Sequence, residues 1–166
     1  MNVTIAPLAD EDVDALCELA RLVWRQHYPS IIGTSQTEYM LAQRYVPSVI
    51  RAELAAGNAW WDVLCLEKET IAFASSFPAE ARHEMKLDKL YVRPDQQHRG
   101  YGGMLIAHTC ERAQQLGYPI VMLAVNKRNT KAIAAYHKHG FEIREASVKD
   151  IGGGFIMDDY VMTKSI

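Results

Sequence analysis

The sequence predicts an α/β sandwich built on a mostly antiparallel sheet, with one βαβ unit in its middle. Apolar residues recur at helical spacing early in the chain, then alternate in β-rich runs, and finally switch between helical and strand patterns. The chain has 166 residues, of which 49% are hydrophobic and 23% charged. This length and composition predict one domain over residues 1–166.

The N-terminal part is predicted to hold a short strand and three helices. Alternating residues mark the strand at 3–5, and helical spacing follows a run of acidic residues. A second helix is expected over residues 35–46, opened by a capping box of Ser35 and Glu38. A third helix is expected over residues 47–56, with a proline at its start and a glycine after its end.

Strand patterns dominate the rest of the chain. A hairpin, a third strand, a helix, an apolar strand, another helix and a final hairpin are predicted in that order. Their expected bounds are residues 60–66, 70–77, 85–92, 103–116, 120–125, 130–139, 141–148 and 155–163. The nearly all-apolar segment 120–125 predicts a strand that is buried on both faces.

Composition and charge argue against several classes of function. The net charge of −2 lacks the basic excess of a non-specific nucleic-acid binder. No apolar stretch approaches the about 20 residues of a membrane helix, and the N-terminus lacks a signal-peptide pattern. We therefore expect no nucleic-acid partner, no membrane association and a cytoplasmic location. The three cysteines form no CxxC pair, so neither a disulfide framework nor a metal site is expected.

Candidate chemistry is concentrated where the third strand of the β-rich part leads into a helix. The segment Gln97-His98-Arg99-Gly100-Tyr101-Gly102-Gly103 places three glycines at the start of that helix. Free backbone amides and the helix dipole favour an anion there, such as a pyrophosphate. No P-loop or dinucleotide-binding fingerprint is present. The glycine turn by itself is also compatible with a tight connection that binds no ligand.

Two motifs resemble the GNAT superfamily of acetyl-CoA-dependent N-acyltransferases. Residues 97–102 fit its Gln/Arg-x-x-Gly-x-Gly/Ala signature. Residues 126–141 resemble its second segment, an Asn followed by Ala-x-x-x-Tyr-x-Lys-x-Gly-Phe. The resemblance implies a GNAT-like fold with a mixed sheet of six to seven strands, helices on both faces and a splayed central strand pair.

The resemblance also implies that acetyl-CoA is the cosubstrate and that no metal is needed. The glycine turn would hold the pyrophosphate, and the edge of the preceding strand would bond the pantetheine arm like an added strand. A bulge is expected near Tyr91 or Val92, and Asn129 would contact the pantetheine or phosphate region. The implied cofactor-binding residues are Leu90, Tyr91, Val92, Gln97, His98, Arg99, Gly100, Tyr101, Gly102, Gly103 and Asn129.

Tyr136 and Asp88 are the expected catalytic residues. Tyr136 matches the general acid of the superfamily, which protonates the coenzyme A thiolate, and the Val92 amide is the expected oxyanion donor. Asp88 is expected to face the same way as Leu90 and Val92 and to act as a base or as an ammonium anchor. An ordinary polar role at a strand start is equally compatible with Asp88. No cysteine lies in either motif, so direct transfer in a ternary complex is expected.

The expected acceptor is the primary amine of a small molecule, with polyamines first and amino acids or peptide N-termini next. Trp24 and Tyr28 are predicted to bind it, with Glu84 as a weaker candidate. Packing of the first helix on the sheet is equally compatible with Trp24 and Tyr28. Strand alternation allows only one of Asp158 and Asp159 to face the pocket, where it would suit a cationic amine. The alternatives are a non-catalytic acyl-CoA-binding module and an acyltransferase for longer chains. A homodimer is also expected.

Overall fold

The computed structural model describes residues 2–80 and 82–166. Within these residues, seven strands form one sheet in the order β1-β2-β3-β4-β5-β7-β6, accompanied by six α-helices. The strands are β1 Val3–Pro7, β2 Trp60–Leu66, β3 Glu69–Pro78, β4 Met85–Val92, β5 Ile120–Asn126, β6 Glu142–Gly152 and β7 Phe155–Ser165. The helices are α1 Val13–His27, α2 Pro29–Ile32, α3 Thr34–Arg44, α4 Pro47–Ala56, α5 Tyr101–Gln115 and α6 Thr130–Lys138.

Neighbouring strands of the sheet are antiparallel except for the central pair β4 and β5, which is parallel. These two strands pair only at Met85 with Val121 and at Lys86 with Met122. Beyond Lys86 they separate, while β5 pairs with β7 along its whole length. The mostly antiparallel sheet and the splayed central pair are thus confirmed.

Helices cover both faces of the sheet, as expected. On one face, α1, α3 and α4 pack on Trp61 and Phe73 through apolar residues such as Leu16 and Ile50. On the other face, α5 packs through Leu105. None of the helices in the described residues combines the length and the apolar character that a membrane span requires.

The start of α3 differs from the prediction. The helix begins at Thr34, and its N-cap is Gly33, with a φ of 82° and no side-chain cap. Gly33 also ends the short helix α2, which the sequence pattern did not indicate. Glu38 accepts hydrogen bonds from Arg25 on α1 instead of closing a capping box with Ser35. The predicted capping box is wrong because a glycine turn between two helices already sets the start of α3.

The central strand β5 is not buried on both faces. Val121, Leu123 and Val125 are buried, whereas Ala124 between them is exposed. The apolar run therefore has one core face, and its other face borders the space left where β4 diverges.

A β-bulge in β4 lies at Asp88 and not near Tyr91 or Val92 as predicted. Ser75 of β3 pairs with Lys89 and Ser76 pairs with Leu87, so Asp88 has no partner in the register. The extra residue resets the alternation of side chains along the strand. Leu90 and Val92 pack with the α5 face, whereas the Asp88 carboxylate lies beside Lys89, whose ammonium stacks over Trp61 on the opposite face. The predicted shared facing is therefore wrong.

The β6–β7 hairpin is fixed to α3 through its glycine turn. Gly152, Gly153 and Gly154 have φ values of 86°, 62° and 82°, which a side chain would strain. The Tyr39 ring covers this turn so closely that a Cβ on Gly153 would lie 2.7 Å from its Cε2 atom. The Tyr39 hydroxyl also donates to the Ile151 carbonyl oxygen at 2.8 Å.

Candidate active site

A cavity of about 810 Å³ opens where β4 and β5 separate. This volume lies within the usual range for cofactor and small-molecule sites. The predicted residues that line it are Trp24, Tyr28, Asp88, Leu90, Tyr91, Val92, Gln97, His98, Gly100, Tyr101, Gly102, Gly103, Asn129 and Tyr136. Two predicted residues, Arg99 and Glu84, lie outside its lining.

The edge of β4 that faces the gap carries free main-chain groups. The Arg93 amide donates to the Ile71 carbonyl oxygen of β3 at 2.8 Å. Successive amides of a strand point to opposite edges, so the Val92 amide points into the gap. The Gln97 side chain donates to the Val92 carbonyl oxygen at 3.1 Å from that same side. By the same alternation, Leu90 presents its main chain to the gap, whereas Tyr91 is directed at β3.

The glycine turn ends in a helix start with unpaired amides. Gly100 has a φ of 88° and serves as the N-cap of α5. The first bond of the helix runs from the Met104 amide to the Gly100 carbonyl oxygen at 3.1 Å. The amides of Gly102 and Gly103 therefore have no acceptor within the helix. Such amides, with the helix dipole behind them, can bind a phosphate group.

Tyr136 lies on α6 with its ring half-buried against the fully buried Phe141, the ring centroids being 5.7 Å apart. Burial, followed by the neighbouring Tyr28, raises the pKa of the Tyr136 hydroxyl well above its ordinary value. The hydroxyl is therefore protonated at neutral pH and can donate a proton or a hydrogen bond into the cavity.

An aromatic wall closes the cavity on the α1 side. The Tyr28 and Tyr91 hydroxyl oxygens are 3.1 Å apart, and the Tyr28 and Trp24 rings are 4.2 Å apart. Burial raises the pKa of both tyrosines, so their hydroxyls are neutral. Trp24 is almost fully buried, and its indole nitrogen has no hydrogen-bond partner among the described residues.

The Asn129 side chain is occupied by contacts within the protein. Its Oδ1 atom accepts from the Ala132 amide at 3.4 Å and lies 3.0 Å from His27 Nε2. Asn129 is buried and is the N-cap of α6. It therefore fixes the helix that carries Tyr136 and ties it to the end of α1.

Asp88 is held as a carboxylate by two lysines. Its Oδ2 atom accepts from Lys89 Nζ at 2.6 Å, and its Oδ1 atom is 3.7 Å from Lys86 Nζ. Burial alone would raise the pKa of Asp88, but the charges of Lys89 and Lys86 outweigh it and lower the pKa. An ion-paired carboxylate with a lowered pKa is a weak base.

Glu84 is not positioned to bind a substrate. It is almost fully buried, and Arg144 of β6 donates to its two carboxylate oxygens at 2.8 and 3.0 Å. The residue precedes β4 at the end of the sheet away from the gap, so its prediction as an acceptor residue is wrong.

Some charged residues of the cavity were not assigned from the sequence. Arg44 and Lys86 line it, as do Lys131 and Lys138 of α6. Arg44 follows the buried Met40 and Leu41 by four and three residues, so it lies on the core-facing side of α3. A cation at such a position is the sequence signal that could have identified it. Of the two adjacent acidic residues near the C-terminus, Asp159 lines the cavity.

Comparisons with known proteins identify the family of this chain and a similar enzyme. The family model described as "Acetyltransferase (GNAT) family" matches residues 15–141. The chain belongs to this family. This acetyltransferase is 25% identical over 164 residues to a spermidine N(1)-acetyltransferase of Thermoplasma acidophilum, with 95% of this chain and 97% of the relative covered.

Solved structures of other acetyltransferases share the fold of this acetyltransferase. The PaiA N-acetyltransferase from Thermoplasma acidophilum, in complex with coenzyme A, superposes with a TM-score of 0.85 at 22% identity, covering 100% of both chains. A ribosomal-protein-alanine N-acetyltransferase from Brucella melitensis gives a TM-score of 0.73 at 21% identity, covering 98% of this chain and 99% of the other.

Proposed function

We propose that this acetyltransferase transfers the acetyl group of acetyl-CoA to the primary amine of a small molecule, within a ternary complex. The observation that carries the proposal is the cavity in which the free edge of β4, the unpaired amides of α5 and the protonated Tyr136 meet. The spermidine acetyltransferase relative and the coenzyme A complex of PaiA support the choice of cosubstrate and of an amine acceptor.

In the proposed complex, main-chain groups hold most of acetyl-CoA. The amides at the start of α5 bind the pyrophosphate, and the main chain of Leu90 bonds the pantetheine arm, which leaves the Val92 amide for the thioester. Arg99 is exposed and outside the cavity, so it is left out of this set.

The transfer itself needs three groups, which are the amine of the acceptor, the Val92 amide and the Tyr136 hydroxyl. The neutral amine attacks the thioester carbonyl and forms the C–N bond, and the Val92 amide donates to the resulting oxyanion. As the C–S bond breaks, Tyr136 donates its proton to the departing thiolate. The proton released by the acceptor nitrogen restores the Tyr136 hydroxyl, so protons balance. Asp88 is not the base in this scheme, because its ion pair with Lys89 weakens it as a base.

Thiol release from acetyl-CoA over a panel of amines tests the proposal. The panel contains spermidine, spermine, diaminoalkanes, amino acids, short peptides and aminoglycosides, with coenzyme A binding measured in parallel. Release with one class of amine is the expected result. Tight coenzyme A binding with no release from any amine would favour a non-catalytic acyl-CoA-binding module, and no binding at all would refute the proposal.

The cytoplasmic location, the homodimer and the single domain stay predictions.

A further inference from the structure

We propose that the acceptor carries a carboxylate next to its amine, as an α-amino acid does. Arg44 binds the carboxylate and Asp159 binds the amine. This inference rests on the proposed function and narrows its acceptor to the second of the predicted classes.

Arg44 is a cation in the cavity without an anionic partner. Its guanidinium Nη2 atom is 3.7 Å from the Met157 sulfur, and it forms no ion pair with a carboxylate of the described residues. In contrast, Arg112 and Arg144 each pair with a buried carboxylate. A planar guanidinium fits a carboxylate through two parallel hydrogen bonds, so a free one at a binding cavity indicates a ligand carboxylate.

Asp159 is the complementary unpaired anion. It is only 6% exposed, lines the cavity, and forms no ion pair or side-chain hydrogen bond with the described residues. Its neighbour Asp158 instead pairs with Lys127 at 2.8 Å. Burial raises the pKa of Asp159, whereas the pKa of Asp88 is lowered. Asp159 is therefore the better of the two carboxylates at accepting a proton from an ammonium group.

The two groups are close enough to bind one small molecule. Met157 and Asp159 are two residues apart on β7, so their side chains share a face at a spacing of about 7 Å. Arg44 contacts Met157, which places its charge about one such spacing from Asp159. The amine and the carboxylate of an amino acid are joined through two bonds of about 1.5 Å each. With a hydrogen bond of about 3 Å at either end, one such molecule can reach both groups at once.

The charges at this end of the cavity also disfavour a polycation. The cations Arg44 and Lys86 line the cavity together with the anions Asp88 and Asp159. Lys89 adds a third cation behind this lining, where it pairs with Asp88 at 2.6 Å, so one positive charge is in excess. A polyamine would add further positive charges, and like charges in a partly desolvated site repel. An acceptor with one carboxylate balances the excess.

Matched acceptors and one substitution test the inference. Wild-type protein is assayed with L-methionine, L-methioninamide and 3-(methylthio)propylamine, and with L-lysine and cadaverine. We expect the free amino acids to have a kcat/KM at least about 10-fold above that of the matched compounds without a carboxylate. Arg44→Gln should raise the KM for amino acids about 100-fold, change kcat less and abolish the preference. The Arg44→Lys variant should keep part of the preference for amino acids, because lysine retains the positive charge but lacks the two parallel donors of the guanidinium.

The controls separate this inference from the proposed function. Arg25→Gln removes an exposed guanidinium that pairs with Glu38 and should leave both parameters unchanged. Equal thermal midpoints of the variants exclude unfolding as a cause. Turnover of cadaverine or spermidine equal to or above that of the amino acids, unaffected by Arg44→Gln, overturns the inference but not the proposed function. No turnover of any amine would refute the proposed function. In that case calorimetry measures whether L-methionine binds to the complex of the protein with coenzyme A, and an absence of binding overturns the inference.

Discussion

Tyr136 is the residue on which the proposed transfer depends most directly, because its hydroxyl is the proton donor. Tyr136→Phe removes the proton donor but keeps the ring on Phe141. We expect kcat to fall about 100-fold while coenzyme A affinity stays within about twofold, because general acid catalysis contributes on that scale. Steady-state kinetics and calorimetry measure the two quantities. Tyr118→Phe, outside the cavity against His83, is the matched control. Unchanged turnover would remove Tyr136 from the mechanism.

Burial of Asp159 stabilises the protein only at acid pH. Its pKa in the folded state is raised by burial above its unfolded value, so the stability linked to its protonated form is lost as the pH rises through the folded pKa. Asp159→Asn should therefore raise the thermal midpoint at neutral pH and lose this advantage below the unfolded pKa. The same variant should lower activity. A lower thermal midpoint for Asp159→Asn than for the wild type at neutral pH would contradict this prediction.

The Asp88–Lys89 pair has the opposite effect on how stability depends on pH. The pKa of Asp88 is lowered, so its contribution to stability is present above its unfolded pKa and lost as the pH falls through the folded pKa. Asp88→Asn leaves the Lys89 ammonium, which is 6% exposed, without its anion. We expect a loss of about 3 kcal/mol in the free energy of unfolding at neutral pH. Urea unfolding measures it, and adding Lys89→Met should recover much of the loss.

At the scale of elements, the start of α5 and the end of α6 meet at one glycine. A Cβ on Gly103 would lie 2.6 Å from the His139 Cε1 atom, whereas one on Gly102 would lie 3.7 Å from Val92. Gly103→Ala should displace the His139 imidazole ring, which also lines the cavity, and weaken coenzyme A binding about 10-fold. In a double-mutant cycle, His139→Ala should relieve the effect. Additive losses would show that the two residues do not interact.

The local patterns predicted most elements but not the relations between them. The bounds of β4 agree with the predicted residues 85–92, since alternation and the following proline are local signals. The bulge at Asp88 depends on the register with β3, which no local pattern contains. The same bulge explains why the facing of Asp88 was wrong. The glycine turn and Tyr136 were identified because a motif carries them, whereas Arg44 comes from a helix far away in sequence.

For the whole molecule, the attachment of α3 to the β6–β7 hairpin should affect the acceptor and not the coenzyme. Tyr39→Ala removes the ring that covers the glycine turn, and α3 carries Arg44 at its end. We expect a lower thermal midpoint and a higher acceptor KM with unchanged coenzyme A affinity. Tyr39→Phe removes only the bond to Ile151 and should cost about 1 kcal/mol. Equal weakening of coenzyme A binding would contradict this separation.

The gap between β4 and β5 has a consequence for how such a chain can change over generations. One side of the cavity offers peptide groups, which every residue type possesses, while the other side offers side chains from α1, α3 and β7. Mutations can therefore replace the second set freely while the first persists. Chains that keep this gap can keep the fold while their sequences diverge, which accords with a TM-score of 0.85 to a protein only 22% identical.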